Sequence, residues 1–129
     1  MSKTFFVMIS TDPDIDPMKS LVALACATQA TSDGHEVNVF FAANAVKLLQ
    51  ADYLKSLDSR ISQPTGFCKD MFDNLIQRAN IYCSTLSQAV NGVTPDNAHD
   101  VLVGGYELQW SGPPGVVTLS SSADVTLSF

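Results

Sequence analysis

Asn80-Ile81-Tyr82-Cys83-Ser84-Thr85-Leu86-Ser87 is a short apolar run that ends at a cysteine and passes at once into helix-starting residues. Read locally, Ile81 and Tyr82 close a buried strand and Ser84 caps a helix, so Cys83 is expected in the turn between them. A thiol there would face the unpaired backbone N–H groups at the start of the helix, which favour a thiolate. Strand-to-helix turns are also where open α/β sheets bind ligands, outside the carboxyl ends of their strands.

Working back from that turn, the chain alternates strands and helices. Phe5 to Ser10 is a continuous apolar run, as expected of a strand covered on both faces. Asp16 as N-cap with Pro17 at the first helical position starts a helix that runs to about Ser32 and stops at Gly34. Val37 to Phe41 follows as a second strand, which completes a β-α-β unit. Ala42 to Gln50 reads as a short helix with Asn44 available as cap, and residues 51–63 stay undecided between a helix and a lid or partner surface. Thr65 is expected to cap a helix over Phe67, Met71, Phe72, Leu75 and Ile76.

Beyond the opening stretch, Thr94-Pro95 starts a further turn of helix, and a fourth strand is expected at about Gly105 to Gln109. Trp110 to Gly115 reads as a rigid loop. Gly115 to Ser122 has β-branched residues that favour a strand, whereas the alternation favours a helix, and we assign a helix. Ala123 to Phe129 closes the chain as a fifth strand.

With 129 residues, the chain is expected to form a single domain over 1–129. A net charge of -6 with scattered basic residues argues against nucleic acid as a partner. No run reaches the length of a membrane span, and the N-terminus lacks the pattern of a signal peptide, so a cytoplasmic location is expected. High apolar content with few charges points to a homo-oligomer. Asp12, Asp14 and Asp16 alternate like calcium ligands, but Pro17 and Ala23 stand where a calcium loop needs glycine and glutamate, and no metal or other cofactor is expected.

The cysteines differ in setting. Cys26 is expected to be buried in its helix, Cys68 falls in the first turn of another, and none forms a Cys-x-x-Cys pair. Cys68 is a second thiol that could pair with Cys83. His35 is expected on the sheet edge away from the carboxyl ends, and His99 in solvent.

Gly34-His35-Glu36-Val37 leading to Phe40-Phe41, the strand-end Cys83 with its small polar helix start, and the terminal Ala123-Asp124-Val125-Thr126-Leu127-Ser128-Phe129 together resemble the DsrE/DsrF-like family of sulfur-relay proteins. The resemblance implies a three-layer α/β/α sandwich of flavodoxin-like type with a mainly parallel five-stranded sheet. It also implies symmetric oligomers, a trimer or hexamer, and a strand-end cysteine that carries sulfur as a persulfide. Cys83 is the matching residue. Its thiolate would attack the outer sulfur of a persulfide or polysulfide, borne by a donor protein or small thiol, and pass that sulfur to an acceptor thiol, with the N–H groups of Ser84, Thr85 and Leu86 and the two hydroxyls holding the charge. Two alternatives stay open: a non-catalytic oligomeric interaction protein of the same fold, and a small-molecule or nucleotide-binding module. No glycine-rich phosphate loop follows the first strand, which counts against the last.

Overall fold

The computed structural model describes residues 2–129. Five parallel strands, β1 (Thr4–Ile9), β2 (Glu36–Phe41), β3 (Asn80–Ser84), β4 (Leu108–Ser111) and β5 (Val125–Ser128), form one sheet in the order β4-β3-β2-β1-β5. The chain steps outward from β1 to β4, then crosses back over the sheet to place β5 beside β1. Because such crossovers are right-handed, the returning helix must lie on the face opposite the others. The result is a three-layer α/β/α sandwich.

The local start and stop signals act as expected in the first unit. Asp16 accepts the N–H of Lys19 at 3.0 Å and opens α1 (Pro17–Ser32). Gly34, at φ +86°, closes it in a Schellman arrangement, with Gly34 N–H donating to Thr31 and His35 N–H to Ala30. A 3₁₀ helix (Ala43–Leu49) starts from Ala42 with no side-chain cap, so Asn44 is not the cap. Asn44 instead donates to Asp12. The undecided stretch is largely helical, as α2 (Ala51–Arg60).

Asp12 and Asp14 both accept from Lys47, and Asp14 also accepts from Arg60 and Tyr53. The Tyr53 bond most of all, and then those of Lys47 and Arg60, hold the Asp14 carboxyl far below the ordinary range. The alternating carboxylates thus tie the loop after β1 to the 3₁₀ helix and α2.

Helix α3 (Phe67–Ile76) is capped from a distance, not by Thr65. Asp58 of α2 accepts the N–H groups of Gly66 and Cys68, both at 2.8 Å. Gly66 stands at φ +91°, the left-handed region that favours glycine.

Alternation along the strands divides the sheet into unlike faces. Val7, Ile9, Val39, Phe41, Ile81 and Cys83 pack with α1, α2 and α3 into one buried core. Phe6 and Phe40 point the other way and are covered by α6 (Pro113–Ser122), which has no fully buried residue. The helix assigned to Gly115–Ser122 against its local propensity is therefore present. A Cβ at Gly115 would collide with Ser111 Oγ, so glycine lets α6 close onto the end of β4.

β4 lies later than expected: Gly105 sits at φ +89° in the turn before it, and the strand takes in Trp110 and Ser111. The expected Trp110–Gly115 loop is consequently reduced to Gly112, because Pro113 already opens α6.

Candidate functional site

β3 continues to Ser84, so Cys83 is a strand residue and not a turn residue. It pairs with Phe41 of β2 on one side and Trp110 of β4 on the other. Its side chain points into the core that α1, α2 and α3 cover and is 0% exposed. Burial pushes the thiol up to about 11, a shift that the neighbouring Gln88 amide only partly counters. The expectation of a helix-activated thiolate is corrected on this point: a thiol held in the apolar core is neutral at physiological pH.

Of the expected cradle of Ser84, Thr85 and Leu86, the side chains do not gather around the thiol. Period-two alternation turns Ser84 to the opposite sheet face, where its hydroxyl accepts the Ser87 N–H at 3.1 Å and caps α4 (Thr85–Val90). The Thr85 hydroxyl donates to the Ser111 carbonyl at 3.2 Å. Leu86 is 76% exposed. An apolar pocket of about 290 Å³ between Ser84, Phe40 and α6 lies on this same face, away from the Cys83 thiol.

Around this apolar site the fold buries two polar groups that the sequence did not mark. Helix α4 has inverted polarity: Gln88 is fully buried, whereas Leu86 and Val90 are 76% and 75% exposed. Neither amide atom of Gln88 makes a hydrogen bond of good geometry, although the amide stands close enough to the Cys83 thiol to favour its ionised form. The Tyr106 hydroxyl is likewise buried and unpaired. Burial pushes its ionisation well above the usual phenol range, and the nearby Cys83 adds to the effect. Each orphaned buried polar group costs about 1–3 kcal/mol. Two on the segments that flank the end of β3 therefore mark a place where stability is given up. The Tyr106 ring is held edge-on against Phe72, at 5.9 Å between centroids.

Tyr106 and Trp110 also line a surface cleft of about 350 Å³, together with His99, Leu102, Val103 and Leu108. His99 is exposed there beside Asp100, in line with its expected place in solvent. His35 accepts the Lys3 N–H at the amino edge of the sheet, as expected of a structural histidine.

Cys68 is fully buried in α3 beside the Asp58 carboxylate. Burial first, and then that negative neighbour, push its thiol up to about 12. Asp58 itself is penalised by burial, but the N–H groups of Cys68 and Gly66 outweigh this and hold it below the ordinary carboxylate range. Cys26 is only partly buried, contrary to expectation, because its position on α1 turns it toward the helix flank. All three thiols are free, so no bridge joins Cys68 to Cys83.

The sequence pattern of the DsrE/DsrF-like family matches residues 3–129. No curated protein matches the chain. Among solved structures, the chain is similar to the ychN protein from E. coli, at 15% identity and a TM-score of 0.61 over 100% of both chains. It is also similar to MTH1491, a protein of unknown function from Methanobacterium thermoautotrophicum, at 13% identity and a TM-score of 0.68 over 100% of both chains. BT1422 from Bacteroides thetaiotaomicron, a conserved protein of unknown function, is similar at 15% identity and a TM-score of 0.61, over 98% of this chain and 95% of its own. At these identities the structural likeness speaks for the fold alone.

Proposed function

Because the chain belongs to the DsrE/DsrF-like family, we propose that it is a sulfur-relay protein that carries sulfane sulfur as a persulfide on Cys83 and passes it to an acceptor thiol. The observation that carries this reading is the position of Cys83 at the carboxyl end of β3, with the buried Gln88 amide of the following helix against it. A donor R–S–SH and Cys83–SH exchange to R–SH and Cys83–S–SH. The Cys83 sulfur bonds to the outer sulfur of the donor, the donor's S–S bond breaks, and the thiol proton ends on the leaving sulfur. No oxidant is consumed.

A raised thiol pKa suits a carrier that must not react indiscriminately when empty. Three free cysteines fit a reducing compartment, and we place the protein in the cytoplasm. Among the described residues no helix is long and apolar enough to cross a membrane. Exposed Leu86, Val90, Ile15, Met18, Val22 and Val117 support association into a homo-oligomer, trimer or hexamer, or with donor and acceptor proteins.

The experiment is intact mass spectrometry after incubation with polysulfide, before and after a thiol reductant. The expected result is a reductant-sensitive gain of whole sulfur atoms that is absent in Cys83→Ala; no gain in the wild type would remove the basis of the reading.

One observation favours a second reading, a non-catalytic interaction protein. Cys83 is sealed from solvent while apolar side chains are displayed on α4. In that case the wild type stays unloaded yet still self-associates through Leu86 and Val90. A nucleotide-binding role is disfavoured by Asp12 and Asp14, which line the loop after β1 with negative charge.

A further inference from the structure

Gln88 and Tyr106 share a property that packing does not explain. The fully buried amide of Gln88 borders Cys83 with both of its polar atoms unpaired, on a short helix that displays its leucine and valine to solvent. The buried hydroxyl of Tyr106 is also unpaired, and the same side chain lines the cleft beside α5 (Ala98–Val101). Trp110 joins the two places, since it is the β4 partner of Cys83 in the sheet and a wall of the cleft. A primary amide and a phenol are both hydrogen-bond donors. Gln88 meets the thiol from the helix that follows β3, Tyr106 shares the cleft with the strand partner of Cys83, and both carry donor capacity that the protein itself leaves unused.

We propose that the Gln88 amide and the Tyr106 hydroxyl bind the outer sulfur of the Cys83 persulfide, and that the sulfur is delivered by a small persulfide or polysulfide entering through the cleft between α5 and β4. The inference rests on the carrier reading of Cys83 and names its binding residues and donor class. The empty thiol is a poor acceptor with one sulfur. The outer sulfur of a persulfide, whether anionic or neutral, extends the chain by one atom and offers lone pairs to both donors. Because Cys83 has no exposed surface, a cysteine on a folded donor protein cannot touch it in this conformation. A small molecule fits a cleft of about 350 Å³, whose Tyr106 and Trp110 walls stand on the side of Cys83.

The test uses the intact protein, sodium tetrasulfide as the sulfur source, and the variants Gln88→Met and Tyr106→Phe. Each variant removes an unpaired polar group at nearly constant shape. Neither is therefore expected to melt below the wild type in the thiol form, which a merely structural role would require. After loading and desalting, the persulfide is followed by mass spectrometry during decay into excess small thiol. The expected result is a persulfide on wild-type Cys83 that decays at least tenfold more slowly than on either variant.

If the wild type loads and both variants keep the sulfur equally long, Gln88 and Tyr106 do not bind it and this inference falls alone. If tetrasulfide leaves the native wild type unloaded but loads Cys83 in urea, entry through the cleft is overturned. If Cys83 gains nothing under either condition, the carrier reading itself fails.

Discussion

Asp58→Ala removes the one carboxylate that joins α2 to the start of α3. Asp58 is 3% exposed, and its two oxygens accept the Gly66 and Cys68 N–H groups at 2.8 Å each. Hydrogen bonds to a charged group contribute about 1.5–3 kcal/mol, and a buried donor left unpaired adds a penalty. The Cys68 N–H is buried and stays orphaned in the variant, whereas the Gly66 N–H is only partly buried and can recover a water. Assigning roughly 2 kcal/mol to the first and roughly 1 to the second gives a loss of about 3 kcal/mol. Asp58→Asn keeps one accepting oxygen and should lose about half as much.

The assay is urea denaturation followed by far-UV circular dichroism, with the slope checked for constancy. The sign with pH is fixed by the lowered pKa of Asp58: its contribution is complete above the unfolded carboxylate value of about 3.9 and is lost as pH falls through the lower folded value. The gap between wild type and Asp58→Asn should therefore shrink in acid. A variant within about 0.5 kcal/mol of wild type at neutral pH, or a gap that does not move in acid, would refute the reasoning.

Other consequences are as direct. Alkylation of Cys83 in the native protein should rise with pH toward a midpoint near about 11 rather than about 9, and a midpoint below an ordinary thiol's would mean that burial does not govern it. In the same window folding stability should fall, because rising pH ionises the unfolded thiol first; urea midpoints at both ends of the window check this, and the fall should be smaller in Cys83→Ala. Gly115→Ala should lower stability by about 1 kcal/mol, since its Cβ meets Ser111 Oγ and lies 3.1 Å from Ser111 Cβ. Adding Ser111→Gly should restore most of that loss, and a double variant as unstable as Gly115→Ala would place the strain elsewhere.

The alternation of strands and helices was legible because its signals are local. Asp16-Pro17 and Gly34 bracket α1 by capping chemistry alone, and the run from Phe5 needs both faces buried to make sense. The α6 assignment shows a global pattern outweighing propensity: Val116, Val117 and Thr118 favour a strand, but only a helix can carry the chain from β4 back to β5.

The site was half legible. Cys83 was read into the turn just after β3, but the strand runs through Ser84, and with a side-chain period of two that difference decides which face the thiol joins. Gln88 carried a faint signal, since Leu86 and Val90 bracket it on a helix that buries the polar residue instead. Asp58 and Tyr106 carried none, because their roles depend on α3 and β3 being brought beside them by the fold.

The central claim is that Cys83 holds transferable sulfur, and peptide-level mass spectrometry tests it most directly. Isotopically labelled polysulfide is reacted with the native protein, an excess acceptor thiol is added, and digests are compared before and after. The account predicts the label on the peptide that contains Cys83, then on the acceptor, with the Cys26 and Cys68 peptides unlabelled throughout. Label on Cys26 or Cys68 with none on Cys83, or label on Cys83 that no thiol removes, would contradict it.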